Sequence, residues 1–235
     1  MGRVLTDLEA RRFHEVGYHF PVDIFDPETA ASLADRYHRE APAREILQPD
    51  PHYKIGWLHE LVMHPKILDA VEDLIGPDIF CLGARFFPKP AGSGAYVSWH
   101  QDGEYLNLQS PDLVTAWIAL TDSTAASGCV RVIPGTHRSR MRHEERGGPD
   151  NLLSRGQEVV ADFDRSGAVD VALAPGQMSL HHPLLIHGSE PNTSKAPRIG
   201  FGIQYIPTRA RPRQPLSAPV LLVRGTDEFH NFVHA

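Results

Sequence analysis

The chain has 235 residues, 41% hydrophobic and 22% charged, enough for a sizeable core in one large domain or two small ones. Its formal net charge of -6 lacks the basic excess of a nucleic-acid surface, and its two cysteines, Cys81 and Cys129, make no disulfide framework. The start, "MGRVLTDLEARRF", carries charges where a signal peptide needs an apolar core, and no apolar run approaches the ~20 residues of a membrane span. A soluble protein of the cytoplasm is expected, with neither nucleic acid nor membrane as partner; its oligomeric state is not legible in the sequence.

The first third reads helical. Thr6-Asp7-Leu8-Glu9 is a capping box, and Gly17 stands where a helix begun there would stop. Pro27 opens "PETAASLADRYHRE" at a helix N1 position. Pro65 opens "PKILDAVEDLI", whose Ile67, Leu68, Val71, Leu74 and Ile75 form one apolar face before Gly76.

From Ile79 the period changes to two. "IFCLGARFFPK", "AYVSWHQD", "LVTAWIALTDS", "CVRVIPGTH", "AVDVALA", "GQMSLHH", "PLLIHGS" and "RIGFGIQYI" are short runs rich in β-branched and aromatic residues, separated by turn formers. About eight strands without intervening helices indicate an antiparallel barrel or jelly roll, with the early helices buttressing one sheet. One domain spanning residues 1–235 is expected, helical over about 1–78 and β over about 79–207. The charged, glycine-rich segment from Arg138 to Arg165 reads as a long loop or short helix, and its basic run "RSRMRHEER" as solvated. Of the fourteen histidines, His14, His38, His52 and His143 sit among charged or turn residues and read as surface.

The others carry chemistry. In "SWHQDGEY", His100 and Asp102 would share one strand face, because residues i and i+2 of a strand point the same way. By itself such a pair occurs on any solvated strand edge. A metal held by this pair needs a third ligand, and "HHPLLIHGSEPN" offers one. His187, after an apolar run and before a turn, is the first candidate, with His181 and His182 as competitors. Two histidines and one carboxylate make the facial set of non-haem Fe(II) sites, which leaves positions open.

Further along, "PRIGFGIQY" alternates. Ile199, Phe201, Ile203 and Tyr205 face the core, whereas Arg198, Gly200, Gly202 and Gln204 share a side with room left on it. An arginine beside open space needs an anion, and its planar fork suits a carboxylate. The alternative is a salt bridge, for instance to Asp170. Trp117 is either core or a pocket wall. Arg85, Phe87 and Lys89 share one face of their run, so two positive charges could look into the same cavity.

Together "WHQDGEYL", "TAWIALTDSTAASGCVRVIPGTH" and "HGSEPNTSKAPRIG", in this order, resemble the phytanoyl-CoA dioxygenase family of Fe(II)/2-oxoglutarate-dependent oxygenases. The resemblance extends to "LTDLEARRFHEVGYHF" and so covers nearly the whole chain. It implies a double-stranded β-helix, that is, a jelly roll. It implies His100, Asp102 and His187 as iron ligands and Arg198 as the partner of the distal carboxylate of 2-oxoglutarate. Ser189 would assist Arg198, and Lys89 and Trp117 would line the cosubstrate site. The implied reaction uses 2-oxoglutarate and O2, releases succinate and CO2, and hydroxylates an unactivated C–H bond. Halogenating relatives have a small residue at the carboxylate position, so Asp102 implies oxygenation. The substrate is expected to be a small metabolite or natural-product intermediate, with Arg85 and Tyr105 as candidate contacts. The basic loop from Arg138 to Arg142 is the one stretch that could serve a CoA phosphate. A non-catalytic jelly-roll binding protein, or a zinc hydrolase with the same ligands, is the competing class.

Overall fold

The computed structural model describes residues 4–235 except residues 105, 107 and 217. Its elements in chain order are α1 (Asp7–Val16), β1 (Tyr18–Asp23), α2 (Pro27–Glu40), α3 (Gly56–Val62), α4 (Pro65–Ile75), β2 (Ile79–Lys89), β3 (Val97–His100), β4 (Val114–Ala119), β5 (Val130–Val132), β6 (His143–Glu145), β7 (Gln157–Val159), β8 (Val169–Val171), β9 (Gln177–His181), β10 (His187–Ser189), β11 (Arg198–Pro207) and β12 (Leu221–Arg224). The capping box closes as expected, with Thr6 Oγ1 accepting the Glu9 amide while the Glu9 carboxylate accepts that of Thr6, and Gly17 ends α1 in the left-handed region.

The strands form two antiparallel sheets and a hairpin. The larger sheet runs β1-β9-β4-β11-β2-β12, the smaller β3-β10-β5-β8, and β6 pairs with β7. The fold is the jelly roll that the alternation and the resemblance implied. All eight expected runs are strands. On the larger sheet Val114, Ala116 and Ile118 of β4 and Ile199, Phe201 and Ile203 of β11 bury one face against Trp57, Leu58, Leu61, Ile67, Leu68 and Val71 of α3 and α4. Fully burying one such aliphatic or aromatic side chain contributes about 1.5–3 kcal/mol. The helices therefore brace the larger sheet on one side and leave its other face to look at the smaller sheet.

Several expectations need correction. The first third is not purely helical, since β1 lies within it and pairs with β9. Together with β12 it also carries the sheet beyond residues 79–207 on both sides. The segment expected to be a loop or helix holds β6 and β7, whose backbones pair from His143↔Val159 to Glu145↔Gln157. His52 is not a surface histidine: it is 1% exposed, its ring 4.2 Å from that of Tyr53. His143 is half-buried, its Nε2 accepting the Gln101 amide. Among the described residues, no helix is long and apolar enough to cross a membrane.

Candidate active site

His100 and His187 come from adjacent strands of the smaller sheet and are directly opposite one another in register. Each imidazole is oriented in the same way. His100 Nδ1 donates to the Ser98 carbonyl at 2.9 Å, and His187 Nδ1 donates to the Leu185 carbonyl at 3.0 Å. A neutral ring that donates from Nδ1 leaves Nε2 as an acceptor. Both Nε2 atoms face Asp102 Oδ1, His100 at 3.4 Å and His187 at 3.8 Å. One ligand atom from each of the three side chains lies within 4.8 Å of the others.

Asp102 does not reach this point by strand alternation. β3 ends at His100, and Asp102 opens a 3-10 turn through Glu104. The intervening Gln101, fully buried, fixes that turn. Its amide nitrogen donates to the Ser139 and Leu184 carbonyls, and its side-chain oxygen accepts the Met141 amide. The Gly103 amide donates to the Pro183 carbonyl at 2.8 Å. Asp102 thus stands beside His100 by way of this turn and not of strand alternation, and sequence reading missed Gln101, a polar residue between two candidate ligands.

Burial pushes the Asp102 carboxyl up, but the His187, His100 and His181 rings outweigh it and hold the group well below the usual carboxylate range. Burial lowers the pKa of the His187 imidazole well below its ordinary value. Two imidazole nitrogens and a carboxylate oxygen thus converge on one point. Such a set fits a divalent cation, and its mixed nitrogen and oxygen character fits Fe(II).

The competing histidines lie elsewhere. His182 Nδ1 accepts the Leu184 amide at 3.1 Å, and its ring packs 5.1 Å from that of His137, away from the cluster. His181 is close, but its Nε2 faces Asp102 Oδ2 at 3.6 Å rather than Oδ1. Thr115, unremarked in the sequence although it shares a face with Trp117, donates its hydroxyl to Oδ2 at 2.8 Å.

A cavity of about 340 Å³ between the sheets is lined by His100, Asp102 and His187 and also by Arg198, Ser189 and Trp117. Arg198 is 1% exposed. Its Nη1 donates to the Gly128 carbonyl at 2.6 Å and its Nη2 to that of Phe87 at 2.9 Å, while its buried Nε has no partner. Asp170 pairs instead with Arg131 at 2.8 Å, so the salt-bridge alternative fails. Directly opposite Arg198 in register is Lys89. Its ammonium donates to Ser189 Oγ at 2.6 Å and to the Glu190 and Gly128 carbonyls. Lys89 was expected to line the cosubstrate site; it stands behind Ser189, fully buried, and does not reach the cavity wall. Burial and then the Arg198 charge lower its pKa to about 7. Among the described residues no carboxylate forms a salt bridge with Lys89 or Arg198. Two buried cations and an unpartnered Nε fit an anion.

The glycines of β11 do not leave open space. A Cβ on Gly200 would stand 1.9 Å from Trp117 Cζ2, so the indole already fills the room beside it. The Arg198 guanidinium carbon lies 5.2 Å from the Trp117 ring centroid, and the two form one wall. Gly128, at φ +70°, admits the Lys89 ammonium where a Cβ would meet the Glu190 carbonyl at 2.2 Å. Arg85 lines the cavity with its guanidinium carbon 5.0 Å from the Phe87 ring centroid. Asp50 and Gln204, which sequence reading passed over as site residues, line it too. Tyr105 lies outside the described residues.

A family model described as phytanoyl-CoA dioxygenase (PhyH) matches residues 13–200. The peroxisomal phytanoyl-CoA dioxygenase of Bos taurus is 34% identical over 149 residues, 60% of this chain and 43% of that protein. The chain spans about half the length of the curated relatives it matches. Among solved structures, the non-haem monooxygenase ThoJ in its apo form is 37% identical with a TM-score of 0.82, covering 93% of this chain and 84% of that one. CytC3 with Fe(II) and alpha-ketoglutarate shares the fold at 24% identity and a TM-score of 0.75, covering 100% of this chain and 94% of that one.

Proposed function

The chain belongs to the phytanoyl-CoA dioxygenase family, and from that premise we propose that it is a non-haem Fe(II)/2-oxoglutarate-dependent oxygenase that hydroxylates an unactivated C–H bond of a small metabolite or natural-product intermediate. One observation carries the reading: a single cavity is lined both by the trio His100, Asp102 and His187, whose donor atoms suit a metal, and by the buried arginine Arg198, backed by Lys89, whose charge suits an anion. 2-Oxoglutarate, chelating at one end and ionised at the other, answers both. A binding protein or a zinc hydrolase with the same trio leaves Arg198 and Lys89 without a task.

His100, Asp102 and His187 would hold the iron, which with 2-oxoglutarate and O2 would supply the oxidising power, with succinate and CO2 as by-products. The chain's own residues do the rest. The Nδ1 bonds to the Ser98 and Leu185 carbonyls fix each imidazole with Nε2 inward. Arg198 and Ser189 hold the distal carboxylate, and the Lys89 charge behind Ser189 strengthens that hold. Trp117, packed on Gly200, keeps that end narrow and dry. Arg85 takes an anionic group of the substrate: burial lowers its pKa, and the Asp50 carboxylate only partly offsets this.

The arginines of the basic loop make contacts within the chain. Arg138 donates to the Glu15 carbonyl, Arg140 to the Gly103 carbonyl and Arg142 to the Glu144 carboxylate, so the chain itself engages each guanidinium. The test is succinate release from 2-oxoglutarate under air, with Fe(II) and a panel of small carboxylates and amino acids. The parent releases succinate, while Asp102→Ala and His187→Ala lose it by orders of magnitude. Equal release from parent and variants refutes the reading.

A further inference from the structure

The two oxygens of Asp102 face different partners. Oδ1 meets the Nε2 atoms of His100 and His187, both from the smaller sheet. Oδ2 meets the hydroxyl of Thr115 at 2.8 Å and Nε2 of His181 at 3.6 Å, both from the larger sheet. Thr115 and His181 are cross-strand partners on β4 and β9, so one rung of that sheet aims two side chains at one carboxylate oxygen. His181 is 3% exposed, and its Nε2 is buried with no hydrogen-bond partner. Leaving a buried imidazole nitrogen unsatisfied is costly unless some state of the protein uses it.

We propose that His181 is a positioning residue for Asp102. Its Nε2, 3.6 Å from Oδ2, has only a short way to move to donate to that oxygen when a metal is bound, and with Thr115 it makes the carboxylate offer the metal Oδ1 alone. The proposal rests on the metal centre assigned above. Its consequence is coordination number. A carboxylate free to turn can chelate through both oxygens and occupy a position that the 2-oxoglutarate chelate and O2 need. A carboxylate whose second oxygen is held by a hydroxyl and an imidazole cannot. His181 is not the third ligand in this arrangement, because its nitrogen and those of His100 and His187 lie toward different oxygens of Asp102.

The experiment is anaerobic calorimetric titration of the full chain with Co(II), together with the ligand-field absorption spectrum of the loaded protein, on parent, His181→Phe, His181→Gln and Thr115→Val. Loss of such an outer partner costs about 10–100-fold in metal affinity. His181→Phe should therefore weaken Co(II) binding by that factor and change the spectrum as the coordination number rises. His181→Gln, whose amide can donate in place of Nε2, should restore the parent spectrum and most of the affinity. Thr115→Val should shift both readouts in the direction His181→Phe does. Parent-like affinity and spectrum in His181→Phe overturn the proposal. So does complete loss of Co(II) binding in both His181 variants, which would make the residue a ligand. Should His181→Phe lose the near-ultraviolet circular dichroism of the metal-free parent, Thr115→Val decides by the same two readouts. A parent chain that takes up no Co(II) is a different failure, since it removes the metal-site reading itself and the proposal with it.

Discussion

The two ends of the cavity are incomplete in opposite senses. At the smaller sheet, the Asp102 carboxylate, its pKa held low, and two imidazole nitrogens crowd together in the arrangement a cation would take. At the Arg198 end, an arginine and a lysine share the Gly128 carbonyl, and among the described residues no carboxylate forms a salt bridge with either. A buried charge without a partner destabilises a fold, and removing one member of a buried pair typically costs about 3–5 kcal/mol. Two opposite deficits lining one space say more than either alone. The first specifies a cation and the second an anion, and a keto acid with a distal carboxylate can chelate the one while pairing with the other.

The sharpest way to break this contrast is at the metal end. His187→Ala should weaken Fe(II) or Co(II) binding by more than the roughly hundredfold that an outer-partner loss produces. His182→Ala should leave it nearly unchanged, since that ring is engaged by the Leu184 amide and packs near His137. Calorimetry on both variants checks the pair, and the reverse ranking would move the third ligand.

At the other end the deficit is graded. Arg198→Ala should raise the dissociation constant for 2-oxoglutarate by about a hundredfold or more, from the cost of breaking a buried pair at 1.4 kcal/mol per tenfold. Metal affinity should stay at the parent value. Arg198→Lys should be intermediate, because an ammonium cannot reproduce the two-pronged contact. Titration of the metal-loaded protein with 2-oxoglutarate separates the three.

The smallest effect concerns Lys89. With its pKa lowered to about 7, the ammonium is present below that pH and lost above it, whereas Arg198, lowered to about 10, stays charged. Affinity for 2-oxoglutarate should therefore fall by up to about tenfold as pH rises from about 6 to about 8, one unit of pKa coupling being about 1.4 kcal/mol. Lys89→Met should bind more weakly at the lower pH and lose most of that slope.

Much of this was legible in the sequence, unevenly and for physical reasons. The eight strand runs and the helices opened by Thr6, Pro27 and Pro65 carry long apolar periods or explicit caps, so local signals sufficed. β1, "YHFPVD", has no clean alternation, and α3, "GWLHELV", is too short for a helical period to emerge. The β6 and β7 partners are polar tripeptides that only long-range pairing identifies. Residue types at the site were readable because His, Asp and Arg are costly to bury without a task. What surrounds them was not. Alternation put Gly200 on the cavity face but could not show Trp117 reaching across to fill the space beside it. Nor could it show that Asp102 leaves the strand and is steered by Gln101 from below and by Thr115 from the facing sheet.

The central claim is that both deficits are met by one molecule. The most direct measurement is the visible absorption of the Fe(II)-loaded chain as 2-oxoglutarate is added without oxygen. A bidentate keto-acid chelate on Fe(II) gives a weak charge-transfer band, and in the parent that band should grow to saturation. Arg198→Ala should reach the same final intensity only at much higher 2-oxoglutarate, because that variant damages the anion end alone. No band in a parent shown to hold iron would contradict the account, and so would a band that grows identically in parent and Arg198→Ala.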